Sequence, residues 1–175
     1  MSVEAFDRVA ALPENAERRL EYVGGTVVEV VSNNYASAVA SRISGFLFVY
    51  LLDNPIGYLT GADGGYRVSG ERYIPDVAFI SRVRQPEPSH ETYNPLPPDL
   101  AVEVMSPSDD LNAMRVKVAN YVAAGTLVWL VRPEIQVVEV YTPGRPVQRL
   151  GSDAMLSGGA VLPEFELPVQ DVFPA

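Results

Sequence analysis

The 175-residue sequence contains no cysteine, and only one histidine and one tryptophan. The absence of cysteine excludes disulfide bonds, thiolate zinc sites and cysteine nucleophiles, and it fits a reducing cytosol. We therefore expect a cytoplasmic protein. The single histidine, His90, lies in a polar, proline-rich stretch, where we expect a surface residue. Ser106 and Ser108 consequently have no histidine partner for a catalytic triad.

Long apolar segments are also missing. The first twenty residues carry several acids and a proline and lack an apolar run, which excludes a signal peptide. The longest apolar runs, such as residues 46–52, are too short to span a bilayer. We expect no membrane segment.

Positive charge is scarce in this chain. The formal net charge is −9, and no dense run of lysine or arginine is present, which argues against a nucleic-acid binder. The best candidate for a basic surface is a loose set of four arginines. They are more simply interpreted as solvent-exposed charges at the ends of strands than as a phosphate-binding track. They are Arg67, Arg72, Arg82 and Arg84.

The length predicts one domain with a closed hydrophobic core. We assign residues 1–19 to a short amphipathic helix or loose leader and residues 20–175 to a single domain. Gly24-Gly25, between two strand-like segments, predicts an N-terminal β-hairpin. Helical spacing of apolar residues predicts a helix over 34–53, with Ser32 or Asn33 as its cap.

Further along, strand-like and helical segments alternate in an order typical of an α/β fold, with a central mixed sheet flanked by helices. The proline-rich segment 85–98 predicts a loop that is free to move. The predicted hairpin strands are 20–23 and 26–31, the later strands are 58–60, 66–68, 73–80, 99–105, 127–131 and 137–141, and the second long helix is 109–124.

Two carboxylates stand out because each is the only charge in an apolar row. If 73–80 is one strand, Asp76 shares a face with apolar neighbours, and Glu103 does the same in the strand 99–105. Burying a carboxylate in such a row is costly unless it is paired or bound to a cation. Two adjacent strands can direct both acids to one place.

Lys117 is the only lysine, and the other twelve basic residues are arginines. A compact ammonium can approach one water or one oxygen and can give up a proton when buried, which a guanidinium does poorly. On the predicted helix Lys117 borders the apolar stripe, so its amine can reach the two acids.

These residue types suit phosphodiester hydrolysis. Asp76, Glu103 and the main-chain carbonyl of Val104 offer hard oxygen ligands for Mg²⁺, with Mn²⁺ as a substitute, and Lys117 can orient the water or neutralise developing charge. The alternative is a structural salt-bridge cluster, which such spacing also produces.

The segments around these residues resemble the PD-(D/E)xK nuclease superfamily, and more closely the Uma-type family of bacterial restriction endonucleases. The resemblance covers about residues 20 to 173 and implies a restriction-endonuclease-like fold and metal-dependent cleavage of DNA. The matching residues are Tyr73–Phe79, Pro98–Asp109, Lys117, Tyr121, Ala123-Ala124-Gly125 and Trp129, with the early hairpin and the tail.

Several individual residues near these segments also have specific interpretations. Met105 stands where the superfamily usually has its lysine, so Lys117 has to serve instead. Glu21 matches an acid in the family's first hairpin and is either an accessory ligand or a solvent-facing strand residue. Asp109 is interpreted as the cap of the helix that carries Lys117. Tyr121 and Trp129 are interpreted as core residues.

Three functions from different classes remain open at this stage. The first is a Mg²⁺-dependent DNA endonuclease, the second a catalytically silent nuclease fold that binds nucleic acid or a protein partner, and the third a structural or regulatory module. We expect a homodimer, built from a sheet edge and the apolar tail, that brings an arginine of the basic set beside the Lys117 cleft.

Overall fold

A computed structural model describes residues 1–174 of the chain. Three α-helices and thirteen strands are joined by short turns and three single-turn 3₁₀ segments. The helices are α1 (Val3–Ala10), α2 (Asn34–Asp53) and α3 (Leu111–Ala123). The strands are β1 (Leu20–Val23), β2 (Thr26–Glu29), β3 (Gly57–Thr60), β4 (Gly65–Val68), β5 (Glu71–Tyr73), β6 (Val77–Ser81), β7 (Tyr93–Asn94), β8 (Leu100–Val104), β9 (Leu127–Arg132), β10 (Val137–Tyr141), β11 (Gln148–Leu150), β12 (Met155–Ser157) and β13 (Glu166–Pro168).

A six-stranded mixed sheet forms the centre of the fold, in the order β11-β10-β9-β8-β6-β3. The strands β8 and β9 are parallel and are joined by α3, whereas β6 and β8 are antiparallel. Alternate residues of β8 contact different layers. Leu100, Val102 and Val104 pack in the same core as α2, and Ala101 packs in the same core as α3. The sheet therefore lies between the two long helices, which confirms the predicted α/β class.

The N-terminal hairpin belongs to a second sheet of five strands, in the order β2-β1-β5-β4-β7. Gly24 and Gly25 have φ angles of 57° and 85°, the left-handed region that the two-residue turn requires. Helix α1 packs on this sheet through Phe6, which contacts the rings of Tyr22 and Tyr93 at 5.5 and 5.9 Å. Of the two predicted alternatives for residues 1–19, a short helix or a loose leader, the structure therefore shows the helix.

One predicted strand was wrong in a way that matters for the site. Residues 73–80 do not form one strand, because β5 ends at Tyr73 and β6 begins at Val77, and the two strands belong to different sheets. Pro75 lies in the break and has no N–H to donate to a ladder. Asp76 thus precedes β6 rather than lying within a strand row.

Two smaller predictions also need correction. The segment 85–98 is tied down by β7, with Tyr93 buried and its hydroxyl donating to the Leu20 carbonyl at 2.6 Å. Helix α3 is capped by Asp110, which accepts from the N–H of Asn112 at 2.7 Å, whereas Asp109 accepts from the N–H of Ser106. His90 is exposed, as predicted.

Helix α2 has the predicted bounds, and the Asn33 side chain caps it by accepting from the N–H of Ala36 at 2.8 Å. The whole helix is long and apolar enough to cross a membrane, although the apolar run 46–52 within it is too short by itself. A helix packed on the core of a globular protein meets the same two criteria. Ile43 and Leu47 on its inner side are fully buried against the sheet.

An ion pair between the buried Arg72 and the half-exposed Asp7 attaches α1 to the five-stranded sheet. The Nε and Nη2 atoms of Arg72 donate to the two carboxylate oxygens of Asp7, at 2.9 and 2.7 Å, and Arg72 is 7% exposed.

This ion pair predicts a loss of stability when the carboxylate is removed. Asp7→Ala leaves a buried guanidinium with only weaker carbonyl partners, so it should lower the free energy of unfolding by about 2 kcal/mol. Urea denaturation measures this. Glu29→Ala, which breaks the exposed Arg18–Glu29 pair, is the control and should change stability little. Equal effects of the two variants would contradict the assignment.

Candidate active site

Glu103 enters the site from the central strand β8. It shares the parity of Ala101, so its side chain points to the α3 side of the sheet, and it is 3% exposed. Lys117 lies two turns into α3, the helix that crosses this side, and is 6% exposed. The Lys117 ammonium contacts both Glu103 carboxylate oxygens, at 2.9 and 3.0 Å. The predicted contact between strand acid and helix lysine is therefore present.

The Lys117 ammonium has a second acidic partner in the N-terminal hairpin. Glu21, on β1, accepts from Lys117 at 2.8 Å and also from the main-chain N–H of Ile74 at 2.6 Å. Glu21 is 4% exposed, so the alternative of a solvent-facing strand residue was wrong. Three segments distant in sequence, β1, β8 and α3, therefore meet at one ammonium.

Two tyrosines complete the surroundings of the ion pairs. The Tyr121 hydroxyl donates to Glu103 at 3.0 Å, and the Lys117 ammonium lies 5.6 Å from the centre of the Tyr73 ring. Tyr121 is buried, as predicted for a core residue, but its hydroxyl also belongs to the site. The sequence signal for this was its position, one turn after Lys117 on the same helix face. Trp129 is a buried core residue, as predicted.

Asp76 directly precedes the neighbouring strand β6 and lines the same cleft as Glu103. Val77 pairs with Val102 in the antiparallel β6–β8 ladder, so extending this register by one residue places Asp76 across from Glu103. One Asp76 oxygen accepts from the N–H of Val104 at 2.7 Å. Within residues 1–174 its other oxygen accepts no hydrogen bond, and Asp76 makes no direct contact with Lys117. The strands are neighbours as predicted, but the lysine pairs with Glu103 and Glu21.

Burial and charge shift the proton affinities of these groups in one direction. Burial raises the pKa of Asp76, and the Val104 N–H and the Lys117 charge lower it in part. Burial likewise raises the pKa of Glu103, to about 8, with Lys117 opposing the shift and Glu21 and Asp76 adding to it. For Lys117, burial disfavours the charged form, but the Glu103 and Glu21 carboxylates outweigh burial and raise its pKa. Lys117 is thus held as an ammonium and does not readily give up its proton.

These residues line one cleft of about 740 Å³ between β1–β2, the end of β8 and the start of α3. Lys117 is the only basic residue in its lining, against six acids: Glu21, Glu29, Asp76, Glu103, Asp109 and Asp110. In the described part of the chain, no three acidic or histidine side chains are grouped as a metal site on their own. A cation here would need Asp76, Glu103 and main-chain oxygen together.

The predicted basic set does not reach this cleft. Arg72 is bound to Asp7, Arg67 to Glu91 at 2.6 Å and Arg84 to Asp99 at 2.9 Å. Among residues 1–174, none of the four arginines, Arg82 included, is part of the lining. Within one chain the arginine border is therefore absent, and local carboxylates pair with Arg67, Arg72 and Arg84. The predicted arrangement in a dimer stays a prediction.

A second groove, of about 810 Å³, adjoins the cleft at Asp76 and Ser32, which line both. It follows α2 on one side and residues 59–62 on the other. Apart from Asp76, its only charged lining residue is Arg19. The other polar side chains that line it are uncharged: Asn33, Asn34, Ser37, Ser41, Ser44 and Thr60. The acidic cleft and this neutral-to-basic groove therefore meet at one carboxylate.

A mixed sheet between two helices, with a carboxylate at the start of one central strand, another on its neighbour and a lysine from the next helix, defines a restriction-endonuclease-like protein. The structure aligns with the crystal structure of a putative nuclease belonging to DUF820 from Anabaena variabilis, with a TM-score of 0.85 and 20% identity over 99% of this chain and 97% of that one. The family Uma2, described as putative restriction endonuclease, matches residues 3–170, and the chain belongs to this family. No curated protein matches the sequence.

The ion pairs around Lys117 predict a pH-dependent stability defect when the lysine is removed. Lys117→Met leaves two buried carboxylates without their cation and should cost about 3–5 kcal/mol near pH 8. Because burial raises the pKa of Glu103 to about 8, wild type itself loses stability as pH rises from 4.5 through this window. Lys117 opposes the rise in the Glu103 pKa, so its removal should raise that pKa further and make the variant lose more stability than wild type at the upper end. The defect should therefore be smaller near pH 4.5.

Urea unfolding of wild type and variant at both ends of this window is the measurement. Arg115→Met, at an exposed position of the same helix, is the matched control and should be near wild type. A pH-independent defect of Lys117→Met would show that lost packing, rather than uncompensated charge, is responsible.

Proposed function

We propose that this protein is a metal-dependent endonuclease that hydrolyses DNA phosphodiester bonds. Its metal ligands would be the Asp76 and Glu103 carboxylates and the Val104 carbonyl, with Mg²⁺ as the ion and Mn²⁺ as a substitute. The observation that carries the proposal is the convergence of Asp76, Glu103 and Glu21 on one cleft that also holds the only lysine.

The donor set suits a hard divalent cation. Carboxylate and main-chain oxygens are the ligands that Mg²⁺ prefers, and one Asp76 oxygen has no hydrogen-bond donor in residues 1–174. The cleft carries a large excess of negative charge over its one ammonium. When bound, Mg²⁺ would polarise the phosphate and lower the pKa of a water. Glu103 has to exchange part of its contact with Lys117 to serve as a ligand.

Lys117 acts in this scheme as a fixed positive charge. Its raised pKa keeps it protonated, so it donates hydrogen bonds to the attacking water or to a phosphate oxygen and does not accept a proton. Glu21 orients the amine, because it holds Lys117 while its own position is fixed by the N–H of Ile74. Glu21 is therefore a positioning residue.

The groove along α2 gives a path for the strand to be cut. Its uncharged hydroxyl and amide side chains and Arg19 do not repel a phosphate chain, whereas the acidic cleft does. The groove leads directly to Asp76. We propose that the scissile strand reaches the site along this groove.

A catalytically silent binding protein is the second candidate. The observation in its favour is that Lys117 and Glu103 already satisfy one another in a nearly inaccessible pair, with side-chain exposures of 8% and 4%. Such a pair is stable without a cation. A silent protein would bind nucleic acid or a protein partner without binding Mg²⁺ or Mn²⁺.

Cleavage assays separate these two functions. With Mg²⁺ or Mn²⁺ at low salt, wild type should cut duplex, single-stranded or branched DNA, and Asp76→Asn, Glu103→Gln and Lys117→Ala should each lower the rate by about 100-fold or more. Arg115→Ala, at an exposed position whose side chain does not line the cleft, should cleave at the wild-type rate. Failure of the wild type on every DNA substrate, with no gain in melting temperature on adding Mn²⁺, would favour the silent protein.

Arg19→Ala separates the strand path from the metal site within the same assay. This variant should raise KM and reduce the salt dependence of binding while leaving Mn²⁺ binding unchanged. The Arg67→Ala variant, whose partner is Glu91 away from the cleft, is its control and should not change KM.

Metal binding should also release protons below about pH 8. Because the pKa of Glu103 is raised to about 8, the group is partly protonated at neutral pH, and a cation has to displace that proton. The apparent affinity for Mn²⁺ should therefore rise with pH and level off above this value. Calorimetric titration in two buffers of different ionisation enthalpy measures the released protons. Retention of the same pH dependence by Glu103→Gln would assign the proton to another group.

A further inference from the structure

The exposed face of the C-terminal half of α2 is apolar and uncovered. Phe48, Val49 and Leu52 are 60%, 62% and 66% exposed, although the opposite side of the helix is fully buried. Phe46 and Ile56 extend the patch. Adjacent exposed aromatic and aliphatic side chains of this kind mark an interaction surface rather than ordinary scattered exposure.

The two charged residues of α2 limit what can cover this face. They are Arg42 and Asp53, eleven residues or about three turns apart, so they lie on the same flank of the helix. Along the helix axis, their midpoint is level with Phe48, within the apolar patch. Neither forms an ion pair with any residue of 1–174, although the Arg42 Nε donates to the Asp171 carbonyl at 3.0 Å.

We propose that a second copy of the chain covers this face, with the two α2 helices antiparallel about a two-fold axis near Phe48. A two-fold axis through the midpoint places Arg42 of each copy beside Asp53 of the other, which gives two equivalent ion pairs flanking an apolar centre. Phe48 and Val49 of each helix then lie close to the axis and pack on the same residues of the partner, and Leu52 packs against the partner's segment 41–45. The helix is therefore complementary to itself in charge, and its apolar residues nearest the axis are buried in the contact.

The symmetry has a consequence for the neighbouring groove. Ser37, Ser44 and Phe48 line the groove from the flank of α2 opposite Arg42 and Asp53. A two-fold axis perpendicular to both helices keeps each flank on its own side, so the two grooves open on one face of the dimer and approach each other near Phe48. The dimer itself does not depend on the proposed nuclease activity.

A membrane surface fits the face less well. Helices that lie in a membrane interface carry several basic residues on their polar side, whereas α2 has one basic and one acidic residue. The chain has a net charge of −9, which an anionic lipid surface repels.

Sedimentation of charge variants tests the pairing directly. Wild type should be a dimer, and Arg42→Asp and Asp53→Arg should each weaken dimerisation about tenfold or more by placing like charges together. The combined variant restores opposite charges and should regain most of the affinity. A double variant no better than either single change, or a wild type that stays monomeric at every concentration, would overturn the proposal.

A substitution on the apolar centre and an introduced cysteine give independent readouts. Leu52→Glu should yield a folded monomer by sedimentation and circular dichroism, whereas Val83→Glu, at a 97% exposed position off the helix, should remain a dimer. Because the chain has no cysteine, Phe48→Cys should cross-link to its own copy under mild oxidation, and Val83→Cys should not. Dimers that survive Leu52→Glu would place the interface elsewhere. A monomeric wild type that sediments with phosphatidylglycerol vesicles, and loses this with Leu52→Glu, would assign the face to a membrane.

Discussion

The ammonium of Lys117 is the point on which the two sheets and α3 depend. Glu103 from the six-stranded sheet and Glu21 from the five-stranded sheet both bind it, and each carboxylate is almost inaccessible to water. Neither acid could stay buried and ionised without a cation. The same group therefore holds the layers together electrostatically and defines the floor of the cleft. This explains why a chain that otherwise uses arginine has lysine here, since a compact ammonium fits between two carboxylates below a tyrosine ring.

The break at Pro75 gives the site its second carboxylate. If β5 and β6 were one strand, Asp76 would be held in a ladder within a packed face. The break instead sends β5 into one sheet and β6 into the other, and it leaves Asp76 at the mouth of the cleft. There it is partly exposed and keeps one oxygen bound to the Val104 N–H. One carboxylate is thereby buried to fix the lysine, and another is left accessible to a ligand.

Local sequence pattern predicted the features that depend on residues close in sequence. It failed for side-chain pairs between residues far apart in sequence. Helix α2 and the strand parity of Glu103 followed from periodicity, because β8 is continuous and α2 is long. The partner of Arg72, by contrast, is Asp7, 65 residues away, and no local pattern indicates that pairing. Asp110 rather than Asp109 caps α3, a choice between adjacent equivalent residues that only the backbone geometry resolves. The Glu21 contact likewise required the two sheets to be positioned first.

The acidic cleft bears on function through simple electrostatics. With six carboxylates and one ammonium in its lining, the cleft repels a phosphate chain. Two routes can reduce this repulsion: a divalent cation between Asp76 and Glu103, or approach along the α2 groove, where Arg19 is the only charge besides Asp76. The two routes meet at Asp76, so a strand lying in the groove would bring its phosphate to a carboxylate oxygen that accepts no hydrogen bond from residues 1–174. A cation bound there would neutralise the acid and the phosphate together, and for this reason we expect metal and DNA to bind cooperatively.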